Sequence, residues 1–297
     1  MLTTSLTHSS LFFEILSREL KNFLVEVPYN SISQFYKAFN KQETDKRFGV
    51  SCVWQSYELG RRLTEKGICD VSYYVDGRHI ALVCSTDEEE YLIDPYLLHT
   101  TPIEIYRRFD LDTDNPITRE SYAYPYRKTG KSKYKPAKVV TKYYPSSNEI
   151  SLTYKRFSPS KEHYVPSRLF RLKLDNEFST TPPDVNDFRH LLHHGEQNNL
   201  SIRIVHRKDY RMYELIYPVA LHHRQPISEN NLIARDNNGR MLRNDNSEAY
   251  AHLVRKLSDS IQCSSEELIS FVLGGVEIYE EHAPDLIKHA NFYIKDE

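Results

Sequence analysis

Cys52, His79 and Asp94 are the residues whose types and order in the chain can do chemistry together. Ser51 is a suitable N-cap, and Cys52, Gln55 or Ser56, Leu59 and Leu63 then fall near one face of a helix that Gly67 stops. A thiol in a first helical turn sits at the positive end of the helix dipole, which favours the thiolate, the form that attacks carbon. Such a thiolate needs a base within reach, and the base needs a third group to fix its tautomer. The period of the pattern switches to two after this helix, giving strands over 71–75, 78–84 and 90–94. Asp76-Gly77 joins the first two as a hairpin, and the acidic loop 85–89 joins the second pair. A turn centred on Thr86 and Asp87 sets His79 opposite Asp94, with Cβ atoms about 5 Å apart. A slip of one residue would put the two on opposite faces, so the register is itself an expectation.

The elements around this meander read as follows. A helix covers 11–27 and ends before Pro28, and a shorter one covers 30–39. A linking region rich in Arg, Tyr and Pro runs over 106–137, followed by strands at 138–144, 149–157, 166–174, 201–206 and 211–217. A helix is expected at 184–194, and three more at 247–262, 265–281 and 284–291. Helices, then antiparallel strands, then helices make an α+β chain and not a parallel α/β one. The divisions expected are 1–70 for an N-terminal helical domain with the Cys52 helix, 71–220 for an antiparallel β-barrel or sheet domain with His79 and Asp94, and 221–297 for a C-terminal helical region or lid.

Composition narrows the function. A chain of 297 residues with a formal net charge of −2 lacks the clustered basic excess of a nucleic-acid or membrane-surface protein. Its apolar runs fall short of the roughly 20 residues a membrane span needs, and Glu14 interrupts the N-terminal apolar run too early for a signal peptide. Four cysteines, at 52, 69, 84 and 263, read as reduced thiols in a cytoplasm; 69, 84 and 263 lack the setting of Cys52. Only 9 glycines make a glycine-loop nucleotide site improbable. His193-His194 and His222-His223 lack metal-ligand spacing, so no metal site is expected. The stretch 127–144 has bases and aromatics that could stack nucleobases, but in an acidic chain it reads better as an alternating strand.

Several segments resemble the arylamine N-acetyltransferases. Val27-Pro28-Tyr29-Asn30 is similar to their Val-Pro-Phe-Glu-Asn, and Cys52-Val-Trp-Gln-Ser-Tyr-Glu-Leu to the helix that opens with their nucleophile. His79-Ile-Ala-Leu-Val with Tyr91-Leu-Ile-Asp94 resembles their His-x-x-Leu-Val and Tyr-Leu-Val-Asp block, and 171–192 resembles a later segment. Where the family has Arg-Gly-Gly-x-Cys, this chain has Arg47-Phe-Gly-Val-Ser-Cys52. The family's Asp-Val-Gly-Phe-Gly turn, part of its coenzyme A cleft, is here Asp94-Pro-Tyr-Leu-Leu, closer to the wider transglutaminase-like superfamily. The resemblance implies a ping-pong acyl transfer. Cys52 would take an acyl group from an acyl-CoA or carrier-protein thioester used as co-substrate, with no permanently bound cofactor, and pass it to a small-molecule amine. His79 would be general base, Asp94 its orienting group, and the backbone N–H groups of Cys52 and Val53 an oxyanion hole. Trp54 and Tyr96 are the candidates for the acceptor pocket.

Each of the three residues has a blander role when taken alone: a small buried thiol, a surface imidazole beside a turn, a strand-ending Asp-Pro. Two other functions fit the same triad, a cysteine hydrolase or transglutaminase-type enzyme acting on amides, and a binding protein with an inert thiol.

Overall fold

The structure, a computed structural model, describes residues 11–77, 79–87, 89–105, 115–129, 133–245, 247–290 and 292. Helix α1, Leu11–Glu26, turns Leu16, Leu20, Phe23 and Leu24 inward at helical spacing and ends just before Pro28, as the sequence predicts. A two-residue strand β1, Tyr29–Asn30, and a short helical turn over 33–40 lead to helix α2, Cys52–Glu65. Then come β2, Asp70–Asp76, β3, His79–Ser85, β4, Glu90–Ile93, and the short β5, Ile103–Glu104. Antiparallel pairing orders them β2-β3-β4-β5, and the two-residue strand β10, Glu177–Phe178, pairs with the outer edge of β2.

Four long strands form a second antiparallel sheet in simple up-and-down order: β6, Ile117–Thr129; β7, Lys133–Tyr144; β8, Glu149–Ser158; β9, His163–Lys173. The first of these corrects the expected linking region, which is a strand from 117 onward; residues 106–114 lie outside the described residues. Its alternation is hidden in the sequence by charged residues at both ends and by Pro125 at a register irregularity between Ala123 and Tyr126. A third sheet, β1-β11-β12-β13-β14, uses β11, Leu200–Val205, β12, Met212–Tyr217, β13, Ile233–Arg235, and β14, Met241–Arg243. It draws strands from all three expected stretches of the chain. Helices α3, Glu248–Ile261, and α4, Ser265–His282, cover it. Two expected helices are otherwise: 185–191 is a tighter 3-10 turn capped by Asp184, and 284–290 is turn and coil, with Pro284 following the end of α4. The α+β class stands. No helix of the described residues is long and apolar enough to cross a membrane.

Strand β3 lies in the middle of its sheet with both faces covered. Ile80, Leu82 and Cys84 meet α1 and α2, whereas Ala81 and Val83 meet the β6–β9 sheet. On β4 the parity is reversed: Tyr91 and Ile93 face the helices and Leu92 faces the second sheet. Odd positions on β3 and even positions on β4 therefore share one face.

The entry into α2 is fixed by backbone pairing. Val50 N–H donates to the Pro28 carbonyl at 3.1 Å, Asn30 N–H to the Val50 carbonyl at 3.0 Å, and the Asn30 side-chain amide to the Phe48 carbonyl at 2.7 Å. The chain comes this close because Gly49 has φ of +75° and no side chain; a Cβ there would stand 1.8 Å from the Pro28 carbonyl oxygen. The atoms it would meet are Pro28 backbone and cannot step aside. Gly49→Ala is expected to cost about 2–4 kcal/mol, from positive φ and the clash together. A lower urea midpoint at unchanged m-value would show it, and an unchanged midpoint would refute the tight approach.

Candidate active site

Helix α2 presents Cys52 as its first residue, half-buried, with Ser51 at the N-cap position. The Ser51 hydroxyl makes no capping bond to the first turn, contrary to its expected role, and is buried. The helix is held instead by Ser56, whose hydroxyl donates to the Ile80 carbonyl at 2.5 Å, and by the Gln55 amide, which donates to the Val27 carbonyl at 3.2 Å. The first bond ties the Cys52 helix directly to the strand that carries His79.

The β2–β3 turn starts one residue later than expected: Asp76 is still in its strand, paired with His79. Gly77 has the positive φ such a turn needs, and Arg78 lies outside the described residues. The β3–β4 register also differs. Ser85 pairs with Glu90, Cys84 with Tyr91, Val83 with Leu92 and Leu82 with Ile93, a ladder that sets Ala81, rather than His79, opposite Asp94. The turn is longer than two residues, with Thr86 N–H donating to the Glu89 carbonyl at 2.9 Å, and this moves the centre of the hairpin by one position. The offset is two residues, so both side chains keep the same face. His79 Nε2 meets Asp94 Oδ2 at 2.7 Å, with His79 3% and Asp94 0% exposed.

Three further groups complete the arrangement, none of them anticipated from the sequence. Phe170 of β9 stacks on the His79 ring with centroids 3.8 Å apart and planes 22° apart. His99, fully buried, accepts a hydrogen bond from the Asp94 backbone N–H at Nε2, at 2.7 Å, and donates from Nδ1 to the Thr101 carbonyl, also at 2.7 Å. Those roles require a neutral ring, and burial lowers the His99 pKa, more than its backbone bond and Asp94 raise it. The third group is a pair of arginines. Arg168 Nε donates to the Tyr96 hydroxyl at 3.1 Å, and Arg203 Nη2 donates to the Tyr96 carbonyl at 2.8 Å. The Arg168 signal was the alternation of β9, and that of Arg203 the alternation of β11, but neither pattern says what lies across the gap.

Burial alone would make His79 harder to protonate. The charge and hydrogen bond of Asp94, with a further contribution from Cys52, outweigh it, and the pKa rises to about 10. The remaining ring nitrogen, Nδ1, is buried and makes no well-formed hydrogen bond. The other thiols have no such base. Cys263 is pushed up to about 11 by burial, Cys84 is raised by burial, and Cys69 is lowered by its contact with Cys84.

Of the two residues expected to line an acceptor pocket, Tyr96 is beside the imidazole, with ring centroids 5.4 Å apart. Trp54 is not brought to it: its ring meets Phe188 edge-on at 6.4 Å and lines a groove of about 950 Å³ along another flank of α2, with Val50, Tyr57 and Tyr73. The histidine pairs are occupied in packing, His193 Nε2 lying 3.0 Å from the Tyr279 carbonyl and His223 2.9 Å from Glu280.

No protein-family model matches the chain, and no curated protein does. Solved structures similar to it over most of their length include two arylamine N-acetyltransferases. The arylamine N-acetyltransferase from Mycobacterium abscessus is 12% identical, with 88% of each chain covered and a TM-score of 0.39. Arylamine N-acetyltransferase C from Bacillus anthracis is 14% identical, with 85% of this chain and 92% of that chain covered and a TM-score of 0.38.

Two outcomes follow from the geometry. A folded-state pKa above the unfolded value means that the stabilisation is complete below about pH 6.5 and drains away as pH rises through about 10. The wild-type protein is therefore expected to lose more stability across that window than His79→Gln, by a few kcal/mol in order of magnitude; parallel stability curves for the two would exclude the raised pKa. His99→Leu leaves the Asp94 N–H buried without its acceptor and is expected to cost about 1–3 kcal/mol in urea unfolding, whereas a neutral result would show that the bond is dispensable.

Proposed function

We propose that the protein is a thiol-dependent N-acyltransferase, with Cys52 as nucleophile, His79 as base and acid, and Asp94 as the group that orients and charges the imidazole. The observation that carries this is the buried contact of 2.7 Å between His79 and Asp94, with Cys52, the first residue of a helix, interacting with the same imidazole. A carboxylate at Nε2 keeps the proton there in the neutral ring and stabilises the imidazolium, leaving Nδ1 for the thiol. Phe170 covers one face of the ring and excludes water from it.

In the first half-reaction the Cys52 thiolate attacks the carbonyl carbon of an acyl thioester, the carbon–sulfur bond of the donor breaks, and His79 gives its proton to the departing thiolate. Cys52 is left acylated. In the second, an amine attacks that carbonyl, His79 takes the amine proton, and the Cys52 thiolate leaves. Backbone N–H groups of Cys52 and Val53, at the positive end of α2, are suited to the negative oxygen that develops in both steps. Tyr96 is suited to the acceptor side because it borders His79. The donor is an acyl-CoA or an acyl carrier protein, and a reducing cytoplasm suits a mechanism that needs a free thiol.

Intact-mass spectrometry after incubation with a panel of acyl-CoA and acyl-carrier thioesters tests the first half-reaction. The expected result is one acyl adduct, absent in Cys52→Ala and at least 10²-fold slower in His79→Ala. No adduct from any thioester, together with release of ammonia or amine from amide substrates, would make the protein a hydrolase instead.

A further inference from the structure

The two arginines around Tyr96 have no part in the transfer chemistry, and neither makes a close ion pair among the described residues. Arg203 stands within cation–π distance of two rings, 4.7 Å from the centre of Tyr29 and 5.1 Å from that of Tyr96. Its Nη2 is used by the Tyr96 carbonyl, and its buried Nε has no partner. Arg168 spends Nε on the Tyr96 hydroxyl and Nη1 on the Ser167 carbonyl at 2.9 Å. Among the described residues neither guanidinium has a carboxylate within 4.0 Å.

The acid that acts on both, Glu214, lies opposite Arg203 on the neighbouring strand and is already engaged. It is buried in β12, one oxygen accepting from Ser201 Oγ at 2.9 Å and the other paired with Arg235. Arg203 is partly drawn out of water, which is costly for a cation with no carboxylate in contact. The cost is lowered when a ligand anion occupies the spot beside it. The spot is open: Arg168 is exposed, and Tyr96, Arg203 and Cys52 are each partly exposed. Arg168 is aimed there by a β-bulge, since Tyr154 pairs with Arg168 and Lys155 with Pro166, leaving Ser167 as the extra residue. The Tyr96 phenol feels this field: burial and the neighbouring Cys52 raise its pKa, yet the two guanidinium groups bring it below the ordinary value.

We propose that Arg168 and Arg203 form an anion subsite beside Cys52, which selects a substrate, acyl group or acceptor, that carries a carboxylate or phosphate close to its reacting carbon or nitrogen. This rests on the proposed role of Cys52 as an accessible nucleophile. Tyr96 is the hinge of the subsite: its ring borders His79 and its two oxygens hold the arginines.

Alkylation of Cys52 tests the subsite without any acyl donor. The thiolate displaces iodide from iodoacetate or from iodoacetamide, forming the same carbon–sulfur bond; the reagents differ in that one carries a carboxylate. For a free thiol such as glutathione the anionic reagent is the slower. In this protein the iodoacetate-to-iodoacetamide rate ratio, followed by mass at Cys52, is expected to exceed that of glutathione by roughly tenfold, the order expected of two cations close to one carboxylate. It is expected to fall several-fold in Arg168→Gln, a change at an exposed residue, and further in Arg203→Gln. Arg203→Lys, which keeps the charge, is expected to restore part of it. Succinate and inorganic phosphate as protectants separate the two anions: whichever slows alkylation of the wild type, and does so less in Arg168→Gln, names the group. A ratio equal to that of glutathione, with Cys52 alkylating readily, overturns the subsite and leaves the proposed transferase intact. A Cys52 inert to both reagents overturns the transferase and the subsite with it.

Discussion

The arrangement depends on burying a carboxylate and an imidazole in contact. Asp94 is completely enclosed and His79 nearly so, and neither is tolerable there alone, because an ion taken from water into protein costs several kcal/mol unless it is paired and hydrogen-bonded. Their contact satisfies one oxygen and one nitrogen. The rest of the local structure follows from that requirement. Strand parity must put both on one face of the sheet, His99 must hold the Asp94 backbone where β4 ends, and a ring must cover the imidazole. Phe170 supplies the ring from a different sheet, so the β6–β9 sheet cannot be removed without exposing the pair.

A second constraint places the thiol. Helix α2 is positioned by what precedes it, the paired backbone of 28–30 and 48–50, and by one hydroxyl bond to β3 through Ser56. Gly60 lets the helix lie close on the sheet: a Cβ there would stand 2.1 Å from the Tyr73 hydroxyl. With the helix pinned at both its entry and its flank, the placement of Cys52 is set by backbone pairing and by short, buried side chains.

The sequence made the partners legible but not the distance between them. His79 and Asp94 could be matched because alternation fixes which face a strand residue occupies, and parity survives a two-residue error in register. The register itself depended on the length of the 86–89 turn, where acidic residues give no sharp signal. Strand β6 was concealed for a related reason: its outer half faces solvent and is charged, so its alternation is weak. The 185–191 segment has helical composition, but Asp184 caps a tighter turn there. Phe170, Arg168 and Arg203 were out of reach because each acts across a long stretch of chain, and no local periodicity records what a side chain meets on another sheet; His99 acts locally, but on backbone groups of a turn that has no periodicity to read.

The distribution of these residues along the chain separates two tasks. The groups that would break and form bonds, Cys52, His79 and Asp94, come from one helix and one meander within the first third of the chain, linked by short connections and backbone bonds. The groups that would choose the substrate come later and from different sheets, Arg168 from β9 and Arg203 from β11, and they converge only on Tyr96, which follows Asp94 by two residues. Tyr96 is held against the imidazole by the same turn that ends β4, so a change in the arginines reaches the reacting atoms through this ring and not through the pair itself. Exchanging the cations would therefore alter which substrate is accepted while the buried imidazole and carboxylate, enclosed by other elements, keep their geometry. A chemistry fixed by local contacts and a selectivity fixed by distant ones can change independently.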